Sequence, residues 1–582
     1  MESRDTHQSK ILPDVNAASV HPDLRTRISS LFGRVLSRYL GLPSPTHREV
    51  VRQRDVPIAM TDGVVLRADI WYPQTQSRAP VILIRSPYGR GGLQGLLFGT
   101  LFAQQGFRVI CQSCRGTADS GGEFVPFRNE AADAQDTVKW MRNQPWFTGK
   151  FATYGSSYVG YTQWALAVDP PPELAAMVVS IAVINPYTFV HRCGAFSYEV
   201  MLTWVRAMPN PPARLLLLLD GRRRARAIWK AAEALPLKDG YIAANKGRRS
   251  QFFEACLEHS EPGDPWWTSV DYSAALQNVK IPVLLQSGWH DFYAAETLAQ
   301  YQTLRGRGVE TALTMAATTH AGFVRALATT FPDEIAWLRS AFVSERPKRA
   351  GAIMAQVEGH GQWRTYEEWP PARTKPYSLY LQPAGKLSAE KPPSCAPDRY
   401  RYDPTDPTPS IGGELFALHA NQDNRPMEVR RDVLHYTTES LSADLEIVGE
   451  VKFELWFSSS LAHTDIFARL CDVAIDGRST AVCDTLLRLT PGQVRVEPNG
   501  IQLIQMVLSP TLHHFKKGHR LSLLVCSGAH PRFVRNTGSC EQLASACRLV
   551  AADQAVFHDT DHPSCITMQV LAVADPAHTT LG

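Results

Sequence analysis

Several features are scarce in this sequence of 582 residues, and each scarcity removes a class of function. Net charge is only +4, from 60 Lys and Arg against 56 Asp and Glu. So even a balance argues for an uncharged or mixed small-molecule substrate and gives no electrostatic case for nucleic acid. No run approaches the roughly 18 apolar residues that a membrane span requires. The leucine run Leu215 to Leu219 is short, and Arg214 and Arg222 to Arg224 flank it. The polar, mixed-charge N-terminus lacks the apolar core of a secretory signal, so no leader is expected. Cysteines number eleven, odd and without framework spacing, as expected of reduced thiols in a cytoplasm. Cys111 and Cys114 form a C-x-x-C, yet no second ligand pair or thioredoxin-like context accompanies them, so no metal is expected. No repeat or low-complexity tract stands out.

What is present reads as about two to four structural units, because a single core stops growing well below this length. Residues 1–45 form an extension. Within it, Arg25 to Leu42 sets Ile28, Leu31, Phe32, Val35, Leu36 and Leu40 near helical spacing between arginines. This predicts a helix packed on its own domain or a sister subunit, with a membrane-surface helix as the alternative. VPIAMTDGVVLRADIWYP reads as two strands joined at Asp62-Gly63. Short β-rich runs then alternate with helical stretches, the pattern of a mostly parallel sheet; Ala175 to Val183 is one further strand. The expected class is therefore α/β, with core residues 46–186 and 273–348. An all-helical insertion is predicted at 187–272, where Arg222, Arg223, Arg224 and Arg226 read as a solvated helix face. Short alternating strands at 349–582 predict a β-sandwich or jelly roll.

The sharpest local signal is YGSSYVG at 154–160, with a β-run before it and a helix, Thr162 to Ala167, after it. That is the setting of a nucleophile elbow, in which a tight turn lifts a serine above the sheet. Gly155 lies two residues before Ser157, but Val159 occupies the usual second glycine position and Gly160 follows one place later. A serine hydroxyl needs a base, and the base needs an orienting acid. In this fold the chain order is Ser, acid, His. IPVLLQSGWHD presents Asp291 at the end of one later strand, and TALTMAATTH presents His320 at the end of the next. His290 competes as base, and Asp264 and Asp271 compete as acid although they precede the strand. An oxyanion hole needs two donors. The Tyr158 N–H is one; the loop VILIRSPYGRGG offers the Tyr88 phenol or a backbone N–H, unless Tyr88 is simply buried. Trp289, Phe292, Tyr293 and the cap's Trp204, Trp229, Trp266 and Trp267 are candidates for the wall of an apolar pocket. Ordinary core packing is the alternative for each.

Several segments together resemble the cocaine esterase and X-Pro dipeptidyl-peptidase group of α/β-hydrolases, which includes α-amino-acid ester hydrolases. They are SPYGR at 86–90, CRGTADSGGEF at 114–124, QPWFTGKFATYGSSYVG at 144–160, GWHDFY at 288–293, RDVLHYTTESL at 431–441 and HRLSLLVCSGAHPRFVRNTG at 519–538. A G-x-S-Y-x-G elbow is characteristic of the group. The resemblance implies Ser157 as nucleophile, Asp291 as acid, His320 as base, and Tyr158 N–H with the Tyr88 hydroxyl as oxyanion hole. It also implies a helical cap inserted after the sixth strand, a C-terminal jelly roll, no cofactor, and a quaternary state compatible with a homo-oligomer. Ala316 to Thr319 depart from the Gly-Pro-Trp type sequence that usually precedes the histidine, and Val534 stands where the family often has Asp. The expected activity is hydrolysis of a small-molecule ester or amide through an acyl-enzyme. An ester is favoured because no cap carboxylate is evident to pair a substrate amine. Alternatives using the same residues are an aminoacyl ester hydrolase, an X-Pro dipeptidyl peptidase, and an acyltransferase or cyclase. A catalytically silent binding protein is the non-enzymatic alternative.

Overall fold

The computed structural model describes residues 24–76, 78–91, 93–208, 221–343, 349, 351–414, 416, 420–493 and 497–571. The leucine run and the first 23 residues lie outside this set. A helix, α1 (Leu24–Tyr39), precedes the hairpin of β1 (Val50–Ala59) and β2 (Val65–Pro73). The hairpin closes over Asp62 and Gly63, with Gly63 at φ +84°, a conformation that costs glycine little. Next come β3 (Val81–Ser86), α2 (Leu93–Gln104), β4 (Arg108–Ser113), α3 (Glu130–Arg142), β5 (Phe151–Ser156), α4 (Tyr158–Ala167) and β6 (Leu174–Ser180). Every residue of β3 and β4 is buried, as parallel strands must be when helices cover both faces. The last strand ends at Ser180, three residues short of the run read from sequence.

The insertion that follows contains α5 (Pro186–Val190), α6 (Tyr198–Ala207), α7 (Gly221–Glu233), α8 (Leu237–Ala244) and α9 (Gln251–Glu258). It is not all helical: β7 (His191–Arg192) and β8 (Ala195–Phe196) form a two-stranded hairpin. That hairpin ties the cap to the C-terminal part. Arg488 N–H donates to Cys193 O at 3.0 Å, and Val534 N–H donates to Phe196 O at 3.0 Å. Val534 thus serves through its backbone, its side chain being buried.

The sheet resumes with β9 (Val283–His290), α10 (Ala294–Gly306), β10 (Thr311–Thr319), a 3₁₀ turn (Ala321–Ala326) and α11 (Leu327–Val343). It does not stop at 348. β11 (Ile353–Gln356) pairs parallel with β10, and β12 (Trp363–Tyr366) closes the edge antiparallel. The strand order is β1-β2-β4-β3-β5-β6-β9-β10-β11-β12, parallel from β4 through β11. Short polar-apolar alternation cannot assign a strand to one sheet or the next, and so the boundary read at 348 falls inside the first sheet.

Residues 374–571 build an 11-stranded, almost wholly antiparallel sheet around a core of its own. Its 15-residue strand Leu445–Ser459 pairs with Gln502–Phe515, Ala552–Phe557 and Cys565–Leu571. Glu358 joins this β-domain to the core, donating its N–H to Leu512 O and accepting from His514 N. Among the described residues, no helix is long and apolar enough to cross a membrane.

Candidate active site

Between β5 and α4 the chain reverses in a single residue, Ser157, at φ 58° and ψ −127°. Such a conformation costs a non-glycine residue on the order of 1–3 kcal/mol and persists only where its surroundings enforce it. Here Ser157 N–H donates to Ser180 O at 2.9 Å, and Gly160 and Tyr161 N–H both donate to the Ser157 carbonyl. The turn also explains the glycine spacing. A Cβ on Gly155 would lie 2.2 Å from Val159 Cγ1, and one on Gly160 would lie 2.3 Å from Ala182 Cβ. Position 159 faces a hydrophobic cluster instead, so valine fits there and glycine is needed one place later. α4 begins at Tyr158, earlier than the helix read from Thr162.

The structure brings the three predicted side chains together. His320 Nε2 lies 3.0 Å from Ser157 Oγ, and His320 Nδ1 lies 3.2 Å from each carboxylate oxygen of Asp291. Asp291 is wholly buried and accepts the Tyr293 N–H at 2.9 Å, which fixes the carboxylate plane. His320 leaves β10 where the β9 pairing shifts register between Ala316 and Thr319, an irregularity that re-aims the chain. Gly288 permits this close approach, since a Cβ there would stand 2.3 Å from Thr318 O. The imidazole is held between rings, stacked on Phe292 at 4.4 Å and flanked by Tyr293 and Phe416. The competitors are elsewhere. His290 pairs with Glu358 at 2.8 Å, Asp264 caps a short turn through Trp266 N–H, and Asp271 holds Asn185.

Tyr158 is the first residue of α4, so its N–H has no acceptor within the helix. Its side chain is anchored: the hydroxyl donates to Glu130 Oε1 at 3.0 Å and accepts from Phe127 N–H at 2.7 Å. Glu130 in turn pairs with the buried Arg85 at 3.0 Å. Burial and the Glu130 charge push the Tyr158 phenol well above its ordinary pKa, so it remains a neutral donor. Across the site the Tyr88 oxygen accepts the Trp204 indole N–H at 3.2 Å.

Ser157, His320, Tyr88 and Tyr158 all face one cavity of about 540 Å³. Its wall is largely apolar. Met201 and Trp204 come from the cap, Phe127 from the core loop before α3, Leu97 and Phe98 from α2, and Phe323 from the 3₁₀ turn after β10. Phe292, Tyr293 and Trp204 line it as expected from sequence. Trp289 does not: it stacks on Trp369 at 5.4 Å and donates to Gln356 O. Trp229 packs on His530, and Trp266 and Trp267 pack on His259 and His191. Phe416 and Glu334 were not singled out from sequence; Glu334 is the second of two adjacent acids in the helix stretch FPDEIAWL, and which of them is buried against the cavity is not visible until the packing of that face is known.

Two family models match the chain: X-Pro dipeptidyl-peptidase (S15 family) at residues 62–322, and the X-Pro dipeptidyl-peptidase C-terminal non-catalytic domain at 346–567. Cocaine esterase from Rhodococcus sp. (strain MB1 Bresler) is 29% identical over 575 residues, covering 89% of this chain and 98% of that protein. Two solved structures share the architecture. An aminopeptidase from a marine-sediment Thaumarchaeota archaeon superposes with TM-score 0.75 at 21% identity, covering 90% of this chain and 97% of that one. An α-amino acid ester hydrolase gives TM-score 0.74 at 22% identity, covering 90% and 96%. The chain belongs to the cocaine esterase and X-Pro dipeptidyl-peptidase (CocE/NonD) family of α/β-hydrolases.

Proposed function

We propose that this chain is a serine esterase that cleaves an apolar small-molecule ester through a covalent acyl-enzyme. The contact chain Ser157 Oγ, His320 Nε2, His320 Nδ1 and Asp291 carries this reading, at 3.0 and 3.2 Å. In it, His320 Nε2 takes the Ser157 proton as Oγ attacks the ester carbonyl. The resulting oxyanion is met by the Tyr158 N–H and by the Tyr88 hydroxyl; an oxygen that accepts from an indole retains its own proton to donate. Collapse expels the alcohol, which leaves with the proton from Nε2. Water then gives its proton to Nε2, attacks the acyl carbon, and the returning proton frees Ser157. Asp291 holds the imidazole with Nδ1–H toward itself throughout.

An ester is favoured over a peptide with a free amino end by the cavity's wall, which among the described residues is mostly aromatic and aliphatic. A cytoplasmic location is proposed from the cysteines, all eleven of which are unpaired. The test is labelling of the full chain with a fluorophosphonate, mapped by mass spectrometry, beside hydrolysis of a short-chain aryl ester panel. Label on Ser157 with ester turnover is expected. Label on another residue, or turnover that survives Ser157→Ala, refutes the assignment.

A further inference from the structure

Among the described residues that face the cavity, Glu334 of α11 is the sole carboxyl. It is 1% exposed, and its Oε2 has no hydrogen-bond partner. Tyr154, Thr330 and Gln286 stand around the carboxyl as donors that partly counter the effect of burial. Yet none is aligned well enough on Oε2 to satisfy it, and the Thr330 hydroxyl and Gln286 Nε2 are themselves buried without a well-formed partner. No lysine or arginine among the described residues forms an ion pair with Glu334; Arg349, which approaches this helix, is held by Asp333 at 3.1 Å. A buried acid with one oxygen left this way costs stability. The mechanism proposed above does not use it. Its position is informative, because the Leu97, Phe98, Phe323 and Leu327 side chains that line the same cavity offer a ligand nothing polar, which leaves Glu334 and Tyr154 beside it as polar groups there.

We propose that Glu334 is a recognition subsite for an uncharged oxygen, ketone, ether or hydroxyl, carried by the substrate away from its scissile carbonyl. The inference rests on the esterase reading. Burial pushes the Glu334 carboxyl up to about 7, so near neutral pH a protonated acid is at hand to donate to such an oxygen. An ammonium group is disfavoured by the same surroundings. It would bring a second ion into an apolar end of the cavity, and desolvating both charges offsets their attraction. A neutral oxygen needs only the hydrogen bond that Oε2 lacks.

The experiment uses the purified full chain with three matched aryl esters: an alkanoate, its isosteric oxo-alkanoate and an ω-amino alkanoate. A parallel series carries the same three groups on the alcohol side. The readout is the ratio of kcat/KM for oxo over alkyl ester, in which pH effects common to both substrates cancel. In one series the oxo ester is expected to be preferred, and Glu334→Leu lowers that ratio by about tenfold while alkyl-ester turnover stays within about twofold. Glu334→Gln, which can still donate, keeps the ratio within about twofold. In the wild type the ratio falls as pH rises from about 6 to about 8, because a carboxylate cannot donate to a ketone. A ratio unmoved by Glu334→Leu in both series overturns the subsite alone. Preference for the amino ester, abolished by Glu334→Gln, overturns it in favour of a cation site. Failure of the wild type to turn over any alkyl ester overturns the esterase reading and this one with it.

Discussion

Tyr88→Phe separates the two parts of the proposed oxyanion hole. The change removes one hydroxyl and leaves the Ser157–His320–Asp291 contacts untouched. Removing one of two oxyanion donors in a water-poor site lowers kcat by about 10²–10³, or about 2.7–4 kcal/mol of transition-state stabilisation. The ground-state carbonyl engages the hole weakly, so KM should change by less than about threefold. A confounding effect can be bounded from the structure, since the same hydroxyl accepts the Trp204 indole proton at 3.2 Å. Losing that bond costs on the order of 1 kcal/mol, and Trp204→Phe removes it while leaving the phenol in place. Steady-state kinetics on one aryl ester should therefore show Trp204→Phe slower by less than about tenfold and Tyr88→Phe slower by at least about a hundredfold. If the two variants lose the same small factor, Tyr88 acts only by holding the cap wall. The hole would then need a second donor from the backbone of the same loop.

Three further outcomes follow from the geometry. Ser157→Gly should be more stable than Ser157→Ala by about 1–2 kcal/mol in denaturant unfolding, because only glycine relaxes at φ 58°, and both should be inactive; equal midpoints would mean the turn is unstrained. Gly160→Ala should destabilise by several kcal/mol or abolish soluble expression, since its methyl would meet Ala182 Cβ at 2.3 Å; a melting temperature near wild type would contradict the packing. The chain His290–Glu358–His513–Asp472 sets a pH window. His513 is raised from 6.5 to about 9 by its carboxylate partners against the cost of burial, so its stabilisation is complete below about pH 6.5 and lost as pH climbs through about 9. Glu358 is lowered from 4.5 to about 2 by the same histidines, so its contribution is present above about pH 4.5 and lost on acidification toward about 2. The thermal midpoint should fall between about pH 6.5 and 9, and His513→Gln should flatten that fall.

Which parts of this could be read from residues alone has a physical pattern. The elbow was legible because its constraints are local: a β-run, small residues about a serine, then a helix. Even its irregularity at Val159 has a local cause, a side chain that fills a hydrophobic cluster while Gly160 meets Ala182. Asp291 and His320 were legible because strand ends are visible as apolar runs that stop at a polar residue. Side-chain direction past those ends was not. Trp289 and Phe292 flank the same His290-Asp291 pair in GWHDFY, yet one turns to Trp369 and the other stacks on His320, a choice made by the strand's pleat and the turn after it. Nor could composition separate β11 and β12 from the β-domain, since period-2 alternation says that a strand has two faces and not which sheet it joins. Glu334 lies at the far limit of this pattern. Its helix is unremarkable in sequence, and only the meeting of α11 with β5 and α2 turns Glu334, and not the adjacent Asp333 that pairs with Arg349, into a buried group facing the nucleophile's cavity. The chemistry of bond breaking is thus written in short segments that any member of the fold can carry. The chemistry of choosing a substrate is written in contacts between segments far apart in the chain, and specificity should be sought by substitution at Glu334 before any residue of the elbow.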